Sequence, residues 1–211
     1  MKTVERRQTL RENLIALAER SIDRHGLAGV KARDLAAEAG CSVGAIYNAV
    51  ADLDDLVLTV NERTLAAIEA ELAGVPRDLS HADAGQATQQ LIRLAHGYLH
   101  YAAAHRQRWR AVFDHRLPEG KALPDWYLDR QRGLFAFVEQ PLRVLRPNLT
   151  AEQFVLLARS LFSAVHGIVL LGLEEKIGTI SIAELEDQIT VIITALCRGL
   201  TSDDERQTAG L

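Results

Sequence analysis

Residues 31–48 read KARDLAAEAGCSVGAIYN, and the organisation of the chain follows outward from this stretch. Residues 32–39 are apolar at Leu35, Ala36 and Ala39 and stop at Gly40. The pattern resumes after Ser42, whose side chain is placed to cap a second helical piece over residues 43–50. Two short helices joined by a glycine-containing turn, with small residues at their crossing, are the ingredients of a helix-turn-helix. Leu35, Ala36, Ala39 and Ile46 are expected to form the shared core, and Gly40 suits a left-handed turn. Val43, Gly44, Ala45, Tyr47, Asn48 and Ala49 are left for the outer side of the second helix. Gly44 and Ala45 hold no bulk against a groove, and Ser42 with the first amides is placed to meet a phosphate.

On the N-terminal side, Leu10, Leu14, Leu17, Ala18 and Ile22 share one face of a helix over residues 5–25, which Gly26 stops. On the C-terminal side, Asp52 caps a long helix over residues 53–73, and Gly-Val-Pro-Arg-Asp at 74–78 breaks the pattern. Further helices are expected at 83–104, 106–115, 125–145, 151–173 and 182–200. Pro118, Pro124 and Pro147 mark breaks and Pro141 a kink. Thr150 with Gln153 and Ser181 with Glu184 have capping-box spacing. Periodic apolar positions without strand-like alternation predict an all-α protein. Residues 1–52 form a helix-turn-helix head, 53–204 a helical body and 205–211 a flexible tail.

The 151–173 helix is apolar around most of its circumference and is expected to be largely buried. The last helix has a stripe of Leu185, Ile189, Ile192, Leu196 and Leu200, with Val191, Ile193 and Ala195 beside it. These surfaces exceed what one small core needs, so Leu161, Val165, Ile189, Ile192 and Leu196 are candidates for a homodimer interface, built as a four-helix bundle. A monomer with a thick core is the alternative.

The 211 residues are 48% hydrophobic and 25% charged, the range of an ordinary globular chain. The overall net charge of -4 conceals an asymmetry: residues 1–50 sum to +2 and residues 51–211 to -6. Phosphate contacts are therefore sought at the basic end. Cys41 and Cys197 lie far from any metal or CxxC spacing and read as small buried hydrophobes, with a redox switch at Cys41 as a minor alternative. No secretory signal and no uninterrupted membrane-length stretch is apparent, which predicts a cytoplasmic protein with no membrane partner.

The first sixty residues resemble the TetR family of one-component bacterial regulators. The family's Arg-x-Leu/Ile-Ala-x-x-x-Gly-x-Ser-x-Gly-x-Ile/Leu-Tyr pattern appears as Arg33 to Tyr47, followed by the acidic Asp52-Leu53-Asp54-Asp55-Leu56 entry to the next helix. Phe162-Ser163-Ala164-Val165-His166-Gly167 is similar to the Trp-x-x-x-His-Gly segment of a subgroup of C-terminal domains, with Phe162 in place of the Trp. The resemblance implies a repressor that binds a palindromic operator in double-stranded DNA and is released by a small-molecule effector. It implies base contacts by Arg33, with Asn48 suited to adenine and Val43 and Ala45 to thymine methyls. Tyr47 resembles the family tyrosine that hydrogen-bonds a phosphate, with packing against the first helix as its other role; Ser42, Arg6, Arg7 and Lys31 are candidates for phosphate contacts, the three cations reading equally as solvated surface charges. Leu53 stands where the family commonly has a phosphate-binding Lys, and Ala49 where an aromatic or His is frequent. A regulator-like protein with weakened DNA binding, acting through ligand or protein interaction, is the alternative.

Effector contacts are sought among Trp109, Phe113, Trp126, Tyr127, Phe162 and His166, with Arg130 as a partner for an anionic ligand. His96 and His100 have a zinc-like spacing, but Gly97 replaces the Glu of a zinc hydrolase and no third ligand follows, so no metal is expected. With no phosphate loop, nucleotide fingerprint or nucleophile elbow, no cofactor and no catalytic residue are expected either.

Overall fold

The computed structural model describes residues 2–76, 78–79, 81–176 and 178–208. The fold is all-helical, as expected. The order is α1 (Lys2–His25), a 3-10 turn (Leu27–Gly29), α2 (Ala32–Ala39), α3 (Val43–Ala49), α4 (Leu53–Leu72), α5 (Ala84–Ala104), α6 (Arg106–Asp114), α7 (Asp125–Leu145), α8 (Ala151–Leu173) and α9 (Ile182–Thr208). Residues 205–208, expected as tail, are instead the last turn of α9; the tail positions 209–211 lie outside the described residues. α7 continues through Pro141.

Local chemistry sets most ends. Asp52 Oδ1 accepts the Asp55 N–H at 2.7 Å and caps α4. Asp83 and Gln86 cap α5 reciprocally, at 2.7 and 2.9 Å. Thr150 with Gln153 and Ser181 with Glu184 form the two capping boxes expected at the starts of α8 and α9. α8 ends in a Schellman turn, with Lys176 N–H donating to Leu171 O and Glu175, at φ 55, donating to Gly172 O.

Packing divides the chain into two compact units, one of residues up to Ala67 together with Ala104–Gln131, the other of Ile68–Ala103 together with the residues from Arg132 onward. Packing groups α6 and the start of α7 with the N-terminal helices. The reason is Ala111 of α6, which is 1% exposed in a core with Leu14, Ile15, Ala18 and Ile22 of α1, Leu35 and Ala36 of α2, Ile46 of α3, and Leu56 and Val60 of α4. Asn61, itself fully buried, donates through Nδ2 to the Ala111 carbonyl at 3.0 Å and ties α4 to α6.

In the second unit α8 packs on α9. A methyl group added at Gly172 of α8 would overlap the side chain of the buried Leu185 of α9, so the two helices touch backbone to side chain there. α8 is not largely buried, as its composition suggested. Phe154, Ala158, Leu161, Val165 and Val169 face inward, while Val155, Leu156 and Leu171 are exposed. By length and composition alone the 23 residues of α8 are long and apolar enough to cross a membrane, with Arg159 interrupting the apolar run. On α9 the inward stripe is Leu185, Ile189, Ile193 and Cys197, and the exposed face carries Val191, Ile192 and Leu196.

Candidate nucleic-acid interface

The candidate interface is α2, α3 and the turn between them. Leu35 and Ala36 of α2 and Ile46 of α3 are buried, and Ala39 is partly buried against the same core, as the sequence predicts. Gly40 closes α2 at φ 64, ψ 35. Its N–H donates to Ala37 O at 3.3 Å and that of Cys41 to Ala36 O at 3.0 Å. An added Cβ at Gly40 would meet nothing within 4 Å, so the left-handed backbone and not crowding calls for glycine. Ser42 then starts α3, its Oγ accepting the Ala45 N–H at 3.2 Å, while the hydroxyl hydrogen remains available to an external oxygen.

α3 turns Ile46 and Ala49 inward. Ala49, expected on the outer face, lies three residues after Ile46 and therefore shares its side of the helix. Val43, Gly44, Tyr47 and Asn48 are exposed and Ala45 is half-buried. Tyr47 is 49% exposed. Nothing but Ser42 Oγ, at 3.9 Å, would meet a side chain added at Gly44. Glycine there keeps the outer surface of α3 low without being required by the protein's own packing. Arg6, Arg7, Lys31 and Arg33 are exposed and make no ion pair among the described residues. Leu53, which the sequence comparison marks as a missing phosphate-binding Lys, packs against the head core. Cys41 is half-buried against the same core; Cys197 is buried, which raises its thiol pKa, and both thiols are free.

Ion pairs brace α1 from behind. Arg108 of α6 pairs with Glu19 and, at 2.7 Å, with Asp23. Arg63 of α4 reaches Glu12 at 2.9 Å and Glu19 at 3.5 Å. A second cluster surrounds the first turn of α4: Lys121 Nζ lies 2.6 Å from Asp52 Oδ2 and 3.1 Å from Asp54 Oδ2. The hydrogen bond from Lys121 holds Asp52 below the usual carboxylate range, and Asp52 raises the Lys121 pKa in return. His115 Nε2 is 3.5 Å from Asp54 Oδ1, and burial pushes its pKa down despite that neighbour. The sequence reading missed these partners because 50 or more residues separate α6 and its following loop from the groups they meet, and no local pattern encodes such a contact.

Of the effector candidates, Trp109, Phe113, Trp126, Tyr127 and Arg130 lie in the first unit and Phe162 and His166 in the second. Trp109 and Tyr127 are core side chains at 1% and 2% exposure. Burial raises the Tyr127 pKa to about 12 against a lowering hydrogen bond from Asn61. Trp126 and Arg130 line an open cavity of 550 Å³ with Arg11, Thr59, Glu62 and Asp129. Arg130 donates to Glu62 Oε1 there at 2.8 Å. In the second unit Phe162 stacks on His166, with Tyr98 and Phe135 edge-on to Phe162. Tyr98 Oη is 2.8 Å from His166 Nδ1. Tyr98 and Phe135 were not singled out from the sequence, where helical spacing gives an aromatic no mark beyond that of a core residue. His96 and His100 both engage α9, His96 through Thr190 Oγ1 and the Glu186 carbonyl at 3.1 Å and His100 through Glu186 Oε1 at 2.5 Å. No metal-holding group of three ligands occurs among the described residues.

Of the dimer candidates, Leu161, Val165 and Ile189 are buried within the second unit. Ile192 and Leu196 are exposed at 40% and 42%.

Residues 91–196, half of the chain, match the family model described as tetracyclin repressor-like, C-terminal domain. Among solved structures, a protein of unknown function from Rhodococcus sp. RHA1 is similar at 22% identity and a TM-score of 0.66, over 91% of this chain and 95% of that one. A TetR-like transcriptional regulator from the same organism is similar at 18% identity and a TM-score of 0.57, over 90% and 95%. No curated protein sequence matches the chain.

Proposed function

Since the chain belongs to the tetracyclin repressor-like family of transcription regulators, we propose that it is a cytoplasmic repressor that binds a two-fold operator as a homodimer and leaves it when a small molecule binds. The observation that carries the DNA-binding part is the outer face of α3, low at Gly44, open at Val43, Tyr47 and Asn48, and held rigid by the Gly40 turn and the Ser42 cap. A major groove admits a helix with such clearance. Arg33, Asn48, Val43 and Ala45 read base edges, and Arg6, Arg7, Lys31, Ser42 and Tyr47 hold phosphates. That the four cations make no ion pair among the described residues supports this, since none there need be broken on binding.

Two copies associate through the apolar residues left exposed on α8 and α9, Leu156, Leu171, Val191, Ile192 and Leu196. Their heads enter successive grooves on one side of the duplex, with half-sites on the order of 34 Å apart or a multiple of it. Trp109, Phe113, Trp126, Tyr127, Arg130, Phe162 and His166 are the effector candidates. The half-open positions of Phe113, Trp126, Phe162 and His166 make these four the ones a ligand reaches without unfolding a core. The effector acts by preferring one of two head arrangements. No catalytic role is assigned to any residue. The test is selection of bound sequences from a random duplex library by the full-length protein at near-physiological salt. An enriched palindrome is expected; no enrichment by a folded, dimeric protein would overturn the reading.

A further inference from the structure

The first turn of α4 brings three carboxylates, Asp52, Asp54 and Asp55, directly after the helix proposed to enter the groove. α3 ends at Ala49, so by chain length alone Asp52 lies within about 11 Å of it. That is on the order of the screening length at physiological ionic strength, so these charges are felt at α3. Unopposed, they would repel any phosphate brought to that helix. Each has a cation from another element: Lys121 bridges Asp52 and Asp54, and Arg11 of α1 stands 3.9 Å from Asp55. His115, the other basic group beside Asp54, has its pKa lowered by burial, which leaves Lys121 as the charge that counts.

We propose that Lys121, reaching back from the loop between α6 and α7, is a positioning residue for DNA binding that cancels the carboxylate charge flanking α3 and so lets a duplex approach. The inference rests on the reading of α2 and α3 as the DNA-binding pair. Two observations separate this role from a merely structural one. Asp52 uses Oδ1 to cap α4 and presents Oδ2 to Lys121, so the cap does not depend on the lysine. The Lys121 and Asp52 side chains are 36% and 44% exposed, and exposed ion pairs contribute little to stability.

The experiment is fluorescence anisotropy of a labelled, mixed-sequence duplex titrated with full-length protein at low and high salt. Lys121→Ala is expected to weaken binding on the order of five-fold at low salt, the deficit narrowing as salt rises. Lys121→Arg should bind as wild type. Lys121→Ala/Asp54→Asn, which restores the local charge sum, should return to wild-type affinity, and all variants should keep the wild-type helical circular dichroism. An indifferent Lys121→Ala overturns the proposal, as does a loss that persists in the double variant and at high salt, because then the lysine acts by direct contact or by bracing. A wild-type protein that binds no duplex overturns the DNA-binding reading and this inference with it; wild-type binding with an indifferent variant overturns this inference alone.

Discussion

Lys31 and Arg33 stand two residues apart at the start of α2, both exposed, and the proposed roles separate them. A guanidinium fork matches the paired acceptors of guanine, worth about 1–3 kcal/mol of discrimination against a wrong base. An ammonium on a phosphate carries no sequence information. Arg33→Ala should therefore weaken binding to the selected operator while sparing unrelated duplex, whereas Lys31→Ala should weaken both alike and flatten the salt dependence. Equal losses on every duplex for both variants would remove Arg33 from base reading. Tyr127 makes a different claim at the same scale. Its folded pKa of about 12 stands above the ordinary 10.0 because burial disfavours the phenolate. The neutral ring's contribution, on the order of 2 kcal/mol, is thus fully present below pH 10 and lost as pH rises toward 12. Urea midpoints measured across that interval should fall less steeply in Tyr127→Phe than in wild type; parallel curves would contradict it. The residues of the turn were legible because Gly40, Ser42 and Ile46 act through local geometry. Ala49 was misplaced because α3 is only seven residues long and an alanine gives little contrast between its faces.

The helices themselves were the most legible feature, α2, α7 and α8 matching their expected spans and α3, α4, α5 and α6 differing by one residue at an end. Capping chemistry explains this, since Ser42, Asp52, Thr150 and Ser181 each state a helix start in the sequence and each makes the bond it promises. Which face of a helix turns inward was harder. The apolar residues of α9 fill two adjoining stripes, and the choice between Ile192 with Leu196 and Ile193 with Cys197 is made by α8, out of reach of any local pattern. Gly172 meets Leu185 at one crossing of these helices. Gly172→Ala should cost about 1–3 kcal/mol by overpacking a buried crossing, against the few tenths to 1 kcal/mol that alanine ordinarily gains over glycine inside a helix. Thermal unfolding of the variant checks it, and an unchanged or higher midpoint would show that Leu185 moves aside freely.

At the scale of the whole molecule, the same two helices separate core from proposed interface. Leu196→Glu places a charge on a side chain that is 42% exposed, whereas Ile189→Glu places one at 0% exposure. Leu196→Glu is expected to give a folded monomer by sedimentation velocity, and Ile189→Glu to lose the fold, since an unpaired buried charge is among the costliest changes a core can suffer. A Leu196→Glu protein that still sediments as a dimer would move the interface elsewhere. The two-part organisation was legible only in outline, because the charge asymmetry and the break at 74–78 mark a head and a body but carry no trace of α6 joining the first unit.

That joining bears on how the protein is made. Ala111 closes a core whose other buried members all lie between Leu14 and Val60, and the buried Asn61 amide donates to the Ala111 carbonyl. A ribosome adding about 5–20 residues per second delivers α6 several seconds after α4. During that interval the nascent N-terminal helices expose an unfilled apolar seam and an unanswered buried amide, so the head matures only after the chain has passed its midpoint.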